Sequence, residues 1–122
     1  MTDQIEIKDL LLRTRIGVTE AERRDRQDVL INVALETDTR AAGLSDEVND
    51  TVNYRTLNKR LIAHVEGTTF NLVEKLAEDL AALCLAEPRV RRVRVTVEKP
   101  GALRFARSVG VTIVRERTGG EP

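Results

Sequence analysis

Apolar residues change their spacing several times along the chain, and each change marks an element. Ile5 and Ile7 alternate with Glu6 and Lys8, and the pattern then passes to Leu10-Leu11-Leu12. This predicts a strand from Ile5 to about Arg15, with a bulge where the phase shifts. Gly17 ends it, and the polar stretch from Thr19 to Asp28 reads as a loop. Val29, Ile31, Val33 and Leu35 alternate with Leu30, Asn32, Ala34 and Glu36, giving a second strand antiparallel to the first. Thr39 to Thr51 is small and acidic and predicts a connection. From Asn53 or Tyr54 the period becomes helical, with Leu57, Leu61, Ile62 and Val65 on one stripe and Gly67 placed to cap the C-terminus. A second helix is expected from Asn71, with Leu72, Val73, Leu76, Ala77, Leu80, Leu83 and Cys84 inward, until Pro88 stops it. Val93, Val95 and Val97 mark a third strand, Pro100-Gly101 a turn, and Val109, Val111 and Ile113 a fourth. The tail from Thr118 to Pro122 is expected to fray.

The order is ββααββ, which predicts an α+β fold with an antiparallel sheet and two helices on one face. All 122 residues fit one domain. A two-layer slab of this size has a small core and open sheet edges, so a symmetric homo-oligomer is expected. Composition narrows the function further. Twenty basic and twenty acidic residues balance, and one Tyr, two Phe and no Trp leave no stacking platform, which argues against nucleic acid. The single cysteine, Cys84, and single histidine, His64, exclude a Cys- or His-built metal cage. The N-terminus lacks signal-peptide character, and no apolar run approaches the roughly 20 residues that span a bilayer. A cytoplasmic protein with no membrane partner and no protein-bound metal or other cofactor is expected.

Five segments in register carry a resemblance. Arg15-Ile16-Gly17-Val18-Thr19-Glu20-Ala21-Glu22, Thr51-Val52-Asn53-Tyr54, His64-Val65-Glu66-Gly67, Asn71-Leu72-Val73-Glu74-Lys75-Leu76-Ala77 and Glu98-Lys99-Pro100-Gly101-Ala102 resemble the dihydroneopterin aldolases and the closely similar dihydroneopterin triphosphate 2′-epimerases. The resemblance runs from about Ile5 to Glu116. It implies the tunnelling fold, in which ββααββ subunits close their sheets into a barrel. Homotetrameric rings, often stacked as homo-octamers, carry active sites between adjacent subunits. It also suggests that the face bearing Arg92, Arg94, Thr96 and Glu98 lines a wet channel.

The same resemblance assigns roles, each with a simpler alternative. Glu74 would accept the paired amino and ring N–H donors of a pterin, with the Val73–Glu74 backbone alongside. Yet Asn71-x-x-Glu74 is also a capping-box pattern that needs no ligand. Lys99, at a strand end, would be the general base and acid acting on the side-chain hydroxyl, or simply a solvated lysine. Tyr54, at a helix start, would relay a proton to the released carbon, or merely pack that end. Val52 and Asn53 would add backbone contacts from the neighbouring subunit. Glu22 would order water near the substrate, although it stands in a charge-rich loop. His64 and Cys84 read as structural, and Arg23-Arg24-Asp25-Arg26 as an exposed loop. The implied reaction is the folate-biosynthesis step that cleaves 7,8-dihydroneopterin by retro-aldol chemistry to 6-hydroxymethyl-7,8-dihydropterin and glycolaldehyde. Leu12–Gly17, Arg26–Val29, Asn53–Thr56 and Ala102–Ala106 look closer to the triphosphate epimerases, for which Arg15, Arg23 and Arg104 could supply cations. A non-catalytic pterin- or purine-binding ring is the remaining alternative.

Overall fold

The computed structural model describes residues 3–117, and the tail expected to fray from Thr118 lies outside them. Five strands and four helices follow in the order β1 (Asp3–Ile16), α1 (Glu20–Arg24), β2 (Gln27–Thr37), α2 (Arg40–Ser45), α3 (Tyr54–Gly67), β3 (Thr69–Phe70), α4 (Val73–Leu85), β4 (Arg92–Pro100) and β5 (Ser108–Glu116). A 3₁₀ turn at Val48–Asp50 lies between α2 and α3. The sheet order is β3-β1-β2-β4-β5. This is the expected α+β slab, a mixed sheet under two long helices.

The central ladder is built from the alternating residues. Ile31 faces Val97, Val33 faces Val95 and Leu35 faces Val93, all fully or almost fully buried. Leu57, Leu61 and Val65 of α3 and Leu76, Leu80 and Cys84 of α4 close the core from one side. The anticipated bulge lies between Ile7 and Leu10, and it keeps both apolar runs of β1 opposite Val33 and Ile31. Asp9 adopts a left-handed φ of 54° there, and its N–H donates to Asn32 Oδ1 at 2.8 Å. Asn32 thereby pins the irregularity.

Several expectations are corrected. The stretch Thr19 to Asp28 is not all loop, because Thr19 caps the short helix α1. The connection Thr39 to Thr51 contains α2 and the 3₁₀ turn. Gly67 does not cap α3 but is its last residue, and the chain leaves in extended conformation through Thr68. It does so because Thr69 and Phe70 pair in parallel with Arg15 and Ile16, which makes the sheet mixed rather than purely antiparallel. That pairing also holds residues before Leu72 extended, so α4 begins at Val73 rather than Asn71.

The topology gives the slab two distinct ends. The start of β2 lies beside the ends of both β1 and β4, with Thr14 opposite Gln27 and Leu30 opposite Glu98. Helix α4 packs on β4 and runs into it through a short connection, so the start of α4 joins that same end. The C-terminus of α3 is tied there too, because the Thr14 hydroxyl reaches the carbonyl oxygens of Val65 and Thr68 at 2.7 and 3.0 Å. The N-terminus of α3 therefore lies at the opposite end. Fourteen helical residues separate the two, about 20 Å.

Candidate active site

At one end, Lys99 continues the alternation of Val93, Val95 and Val97, so its side chain leaves the sheet on the helix-covered side. Its side chain is only 14% exposed, and Nζ stands 3.9 Å from Glu22 Oε2. Glu22 is itself fixed. Its Oε1 accepts from the Thr19 N–H at 3.0 Å and the Thr19 hydroxyl at 3.2 Å, while the Glu22 N–H donates to Thr19 Oγ1 at 3.1 Å. This is a complete capping box. One carboxylate oxygen locks the loop and the other is left to face Lys99. The Thr19 N–H, helped by the Thr19 hydroxyl and the Lys99 charge, holds the Glu22 carboxyl below its ordinary range.

Gly17 makes this seat possible. A Cβ at Gly17 would lie 2.3 Å from Glu22 Cβ, so no larger residue fits beneath the carboxylate without moving it. The Gly17 N–H donates to Phe70 O at 3.0 Å, and Arg23 Nη1 donates to Gly17 O at 2.7 Å. Arg15 donates to the carbonyls of Arg23 and Arg24, and Gln27 Nε2 to those of Ile16 and Glu22. The segment Arg23 to Arg26, expected as a plain exposed loop, is thus a cross-braced turn. Arg15 and Arg23 are occupied in holding it.

Glu74 lies in the first turn of α4 at this same end. It is exposed, and the N-cap residue of α4 is Leu72, with no side-chain cap bond. The Asn71-x-x-Glu74 capping box is not formed, and among the described residues the Glu74 carboxylate has neither hydrogen bond nor ion pair. Val73 beside it is half-buried.

Tyr54, Asn53 and Val52 occupy the far end. Asn53 Oδ1 accepts from the Thr56 N–H at 3.1 Å and so caps α3, while Val52 is buried and Tyr54 is 58% exposed. Tyr54 lines an open hollow of about 370 Å³ with Glu6, Ile7, Arg55 and Asn58. Asn58 Oδ1 is enclosed with no partner among the described residues. Within one chain the structure brings Lys99 and Glu22 together, places Glu74 at their end, and sets Val52, Asn53 and Tyr54 apart from them.

The remaining candidates are structural. His64 Nε2 lies 2.7 Å from Asp79 Oδ2 and joins α3 to α4, its ring edge-on to Phe70. Cys84 is buried, and burial pushes its thiol up to about 12. The expected channel face exists as a polar sheet surface: Arg92 and Arg94 are exposed, Thr96 meets Thr112 at 2.9 Å, and Glu98 accepts from Ser108. The sequence reading missed Thr19, although Thr19-x-x-Glu22 is as plain a capping pattern as the one at Asn71.

A small α+β slab with its polar groups gathered at two sheet ends is the subunit of a tunnelling-fold protein. Comparison with known proteins agrees. The family model described as FolB, dihydroneopterin aldolase, matches residues 5–114, and the chain belongs to that family. It is 42% identical to the dihydroneopterin triphosphate 2′-epimerase of Escherichia coli K12 over 113 residues, covering 93% of this chain and 94% of that one. It is 38% identical to the E. coli K12 dihydroneopterin aldolase over 113 residues, 93% of each. The crystal structure of E. coli dihydroneopterin aldolase in complex with neopterin superposes with a TM-score of 0.89 at 38% identity, covering 93% of this chain and 98% of that one.

Proposed function

We propose that this chain is a dihydroneopterin aldolase of folate biosynthesis, a lyase that cleaves the side chain of 7,8-dihydroneopterin. The observation that carries the reading is the shielded Lys99 amine facing a Glu22 whose geometry is already locked. Glu74, a free carboxylate at a helix N-terminus, accepts the two parallel donors of the pterin ring, and the Val73–Glu74 backbone lies along it. Lys99 in its neutral form takes the proton from the 2′-hydroxyl, directly or through a water ordered by Glu22. The C1′–C2′ bond breaks, its electron pair moves into the ring C=N bond, and glycolaldehyde leaves. Tyr54 protonates C1′, and the proton on Lys99 returns to the Tyr54 oxygen through water. The ring acts as electron sink, so the route needs no Schiff base, metal or other cofactor.

Tyr54, with Val52 and Asn53, stands at the wrong end of its own chain for this chemistry. A second copy supplies it. The nine residues of β5 form an open edge, and β1 is covered only at Arg15 and Ile16 by β3. Edge-to-edge pairing of β5 with β1 of the next copy would close a homotetrameric ring, and stacked rings a homo-octamer. The polar face bearing Arg92 and Arg94 then lines the channel. A cytoplasmic location fits a pathway of soluble metabolites. Among the described residues no helix is long and apolar enough to cross a membrane.

Higher identity to the epimerase than to the aldolase supports a second reading, epimerisation of the triphosphate at C2′. There glycolaldehyde bearing the phosphates re-adds through its other face before leaving. Product analysis with dihydroneopterin and with its triphosphate separates the two. Glycolaldehyde release from the unphosphorylated substrate is expected, and epimer alone from the triphosphate would overturn the aldolase assignment. No turnover of either, with retained pterin binding, would mean a binding protein.

A further inference from the structure

The open face of the sheet carries an arginine that no acid neutralises. Glu6, Lys8, Asn32, Ala34, Arg94 and Thr96 alternate with the inward residues of their strands, so they share the face turned away from the helices. In one row across this face, Arg92 lies between Glu36 and Glu116 and pairs with Glu36 at 3.6 Å. In the next outward row, Arg94 lies between Ala34 and Val114, so no acid meets it across either ladder. Among the described residues the Arg94 guanidinium makes neither hydrogen bond nor ion pair.

Beside Arg94 the surface is hollow. Ala34 puts only a methyl group between Glu6 on β1 and Arg94 on β4, and the depression there measures about 280 Å³. Glu6, Lys8, Asn32, Arg94 and Thr96 supply its polar walls. Most of these groups are left as donors. The N–H of Asp9, in the β1 bulge, donates to Asn32 Oδ1 at 2.8 Å, which fixes the amide and leaves its NH2 group to donate elsewhere. Lys8 Nζ stands 3.2 Å from Glu6 Oε1, so the acid in the wall already has its counter-ion, and Lys8 keeps further N–H donors. The Thr96 hydroxyl is shared with Thr112 at 2.9 Å.

We propose that this hollow binds a phosphate-type oxyanion, free or as the head of a small phosphomonoester, held by the Arg94 guanidinium, the Asn32 amide and the Lys8 ammonium. A guanidinium offers parallel N–H donors that match two phosphate oxygens, and Asn32 and Lys8 supply donors to the others. Size limits the occupant. About 280 Å³ lies just under the roughly 300–1,000 Å³ of pockets that take drug-sized ligands, so a bare phosphate or small ester fits. Lys99 lies five positions further along β4, about 17 Å away, and on the helix-covered side of the sheet. The site needs one chain only, and in the ring proposed above it would open into the channel.

Isothermal titration calorimetry of the full chain at low salt, with inorganic phosphate and with glycerol 3-phosphate, tests it. Saturable binding is expected for at least one of them. Arg94→Gln is expected to raise the dissociation constant about tenfold or more, as losing a hydrogen bond to a charged group does. Its kcat should stay within about twofold of the parent, because Arg94 is remote from Lys99 and Glu22. Asn32→Asp keeps an acceptor for the Asp9 N–H but replaces the donor with a negative charge, and it should weaken binding by about as much. Arg92→Gln, whose arginine is already paired, should change the constant by less than about threefold. Tighter binding of glycerol 3-phosphate would identify a phosphomonoester as the occupant, and the reverse order a free phosphate; each is the oxyanion proposed. No saturable binding of either at millimolar concentration overturns the proposal, as does an Arg94→Gln chain that binds like the parent. Equal losses in Arg92→Gln and Arg94→Gln would overturn it by showing a diffuse charged face. Binding lost in Lys99→Ala but kept in Arg94→Gln would overturn it by placing the anion at the other site.

Discussion

The two ends of the slab are organised in opposite ways. At the Lys99 end, nearly every polar group is committed: Thr19, Gly17, Arg23, Arg15 and Gln27 brace a single turn, and one oxygen of Glu22 is left facing the amine. At the Tyr54 end, Asn53 caps its helix but Tyr54, Leu44 and Val48 stand in solvent and Asn58 Oδ1 has no donor among the described residues. The first end is preorganised before any ligand arrives, while the second leaves its apolar and polar groups open. Preorganised donors cost no rearrangement during reaction, which suits the end where the base is proposed. The exposed end suits a residue delivered across an interface.

The largest effect should come from dividing the ends between chains. Lys99→Ala alone is expected to lower kcat by about 10²–10⁴-fold, the usual weight of a general acid–base group. Tyr54→Phe should lower it too. Reassembling the two variants together regenerates composite sites with both residues intact, so turnover should recover to a measurable fraction in steady-state assays. Additive loss without recovery would place both residues in one chain's site.

Glu74 offers a cleaner separation of binding from folding. Because it caps nothing, Glu74→Gln should weaken pterin binding by about 1.5–3 kcal/mol, the worth of hydrogen bonds to a charged group. Denaturant unfolding should be almost unchanged. Fluorescence titration with a pterin measures the first quantity. Equal losses in both would return Glu74 to a structural role.

Gly17→Ala attacks the preorganised end through packing. The new Cβ must displace Glu22 or the turn beneath it, and overpacking of this kind costs about 1–3 kcal/mol. Stability and turnover should fall together in thermal unfolding and rate measurements, whereas Gly43→Ala, in helix α2 with open space around it, should raise stability by about 0.4–1 kcal/mol and leave turnover unchanged.

Acid should loosen both the turn and the helix pair. Glu22 is held below its ordinary 4.5 by the Thr19 N–H. Burial alone would raise Asp79, but hydrogen bonds from Lys75 and His64 outweigh it and hold Asp79 below 3.8. Below these ordinary values the unfolded chain binds protons that the folded chain does not. Stability is therefore present above about pH 4–5 and lost as pH falls through the depressed folded values. Thr19→Ala and Asp79→Asn should each flatten that acid limb in equilibrium unfolding.

Much of the architecture was legible because it depends on period. Val29 to Leu35 and Val93 to Val97 alternate without interruption, and the bulge showed as a phase slip between Ile7 and Leu10. What escaped depends on long-range contacts. Nothing local announces that Thr69 and Phe70 pair with β1, and that pairing moved the start of α4 and displaced Gly67 from its expected cap. The alternation carries Lys99 to a strand end, but its partner Glu22 lies 77 positions earlier. The division between Lys99 and Tyr54 is likewise a property of the helix direction, which no motif carries.

The smallest test compares two turns that look alike in sequence. Thr19-x-x-Glu22 forms both bonds of a capping box, and Asn71-x-x-Glu74 forms neither. Thr19→Ala should cost about 1 kcal/mol of stability, as losing an N-cap does, and Asn71→Ala less than about 0.5 kcal/mol. The difference follows from what precedes each pattern. Gly17 lets the chain turn so that Thr19 adopts the extended conformation of an N-cap, at φ −104°, ψ 156°. Before Asn71, the Phe70 carbonyl accepts from Gly17 and its side chain is buried, so the chain enters α4 one residue later, at Leu72. Equal costs in unfolding experiments would mean that Asn71 caps in solution, and the Glu74 carboxylate would then lose the freedom on which its proposed pterin contact rests.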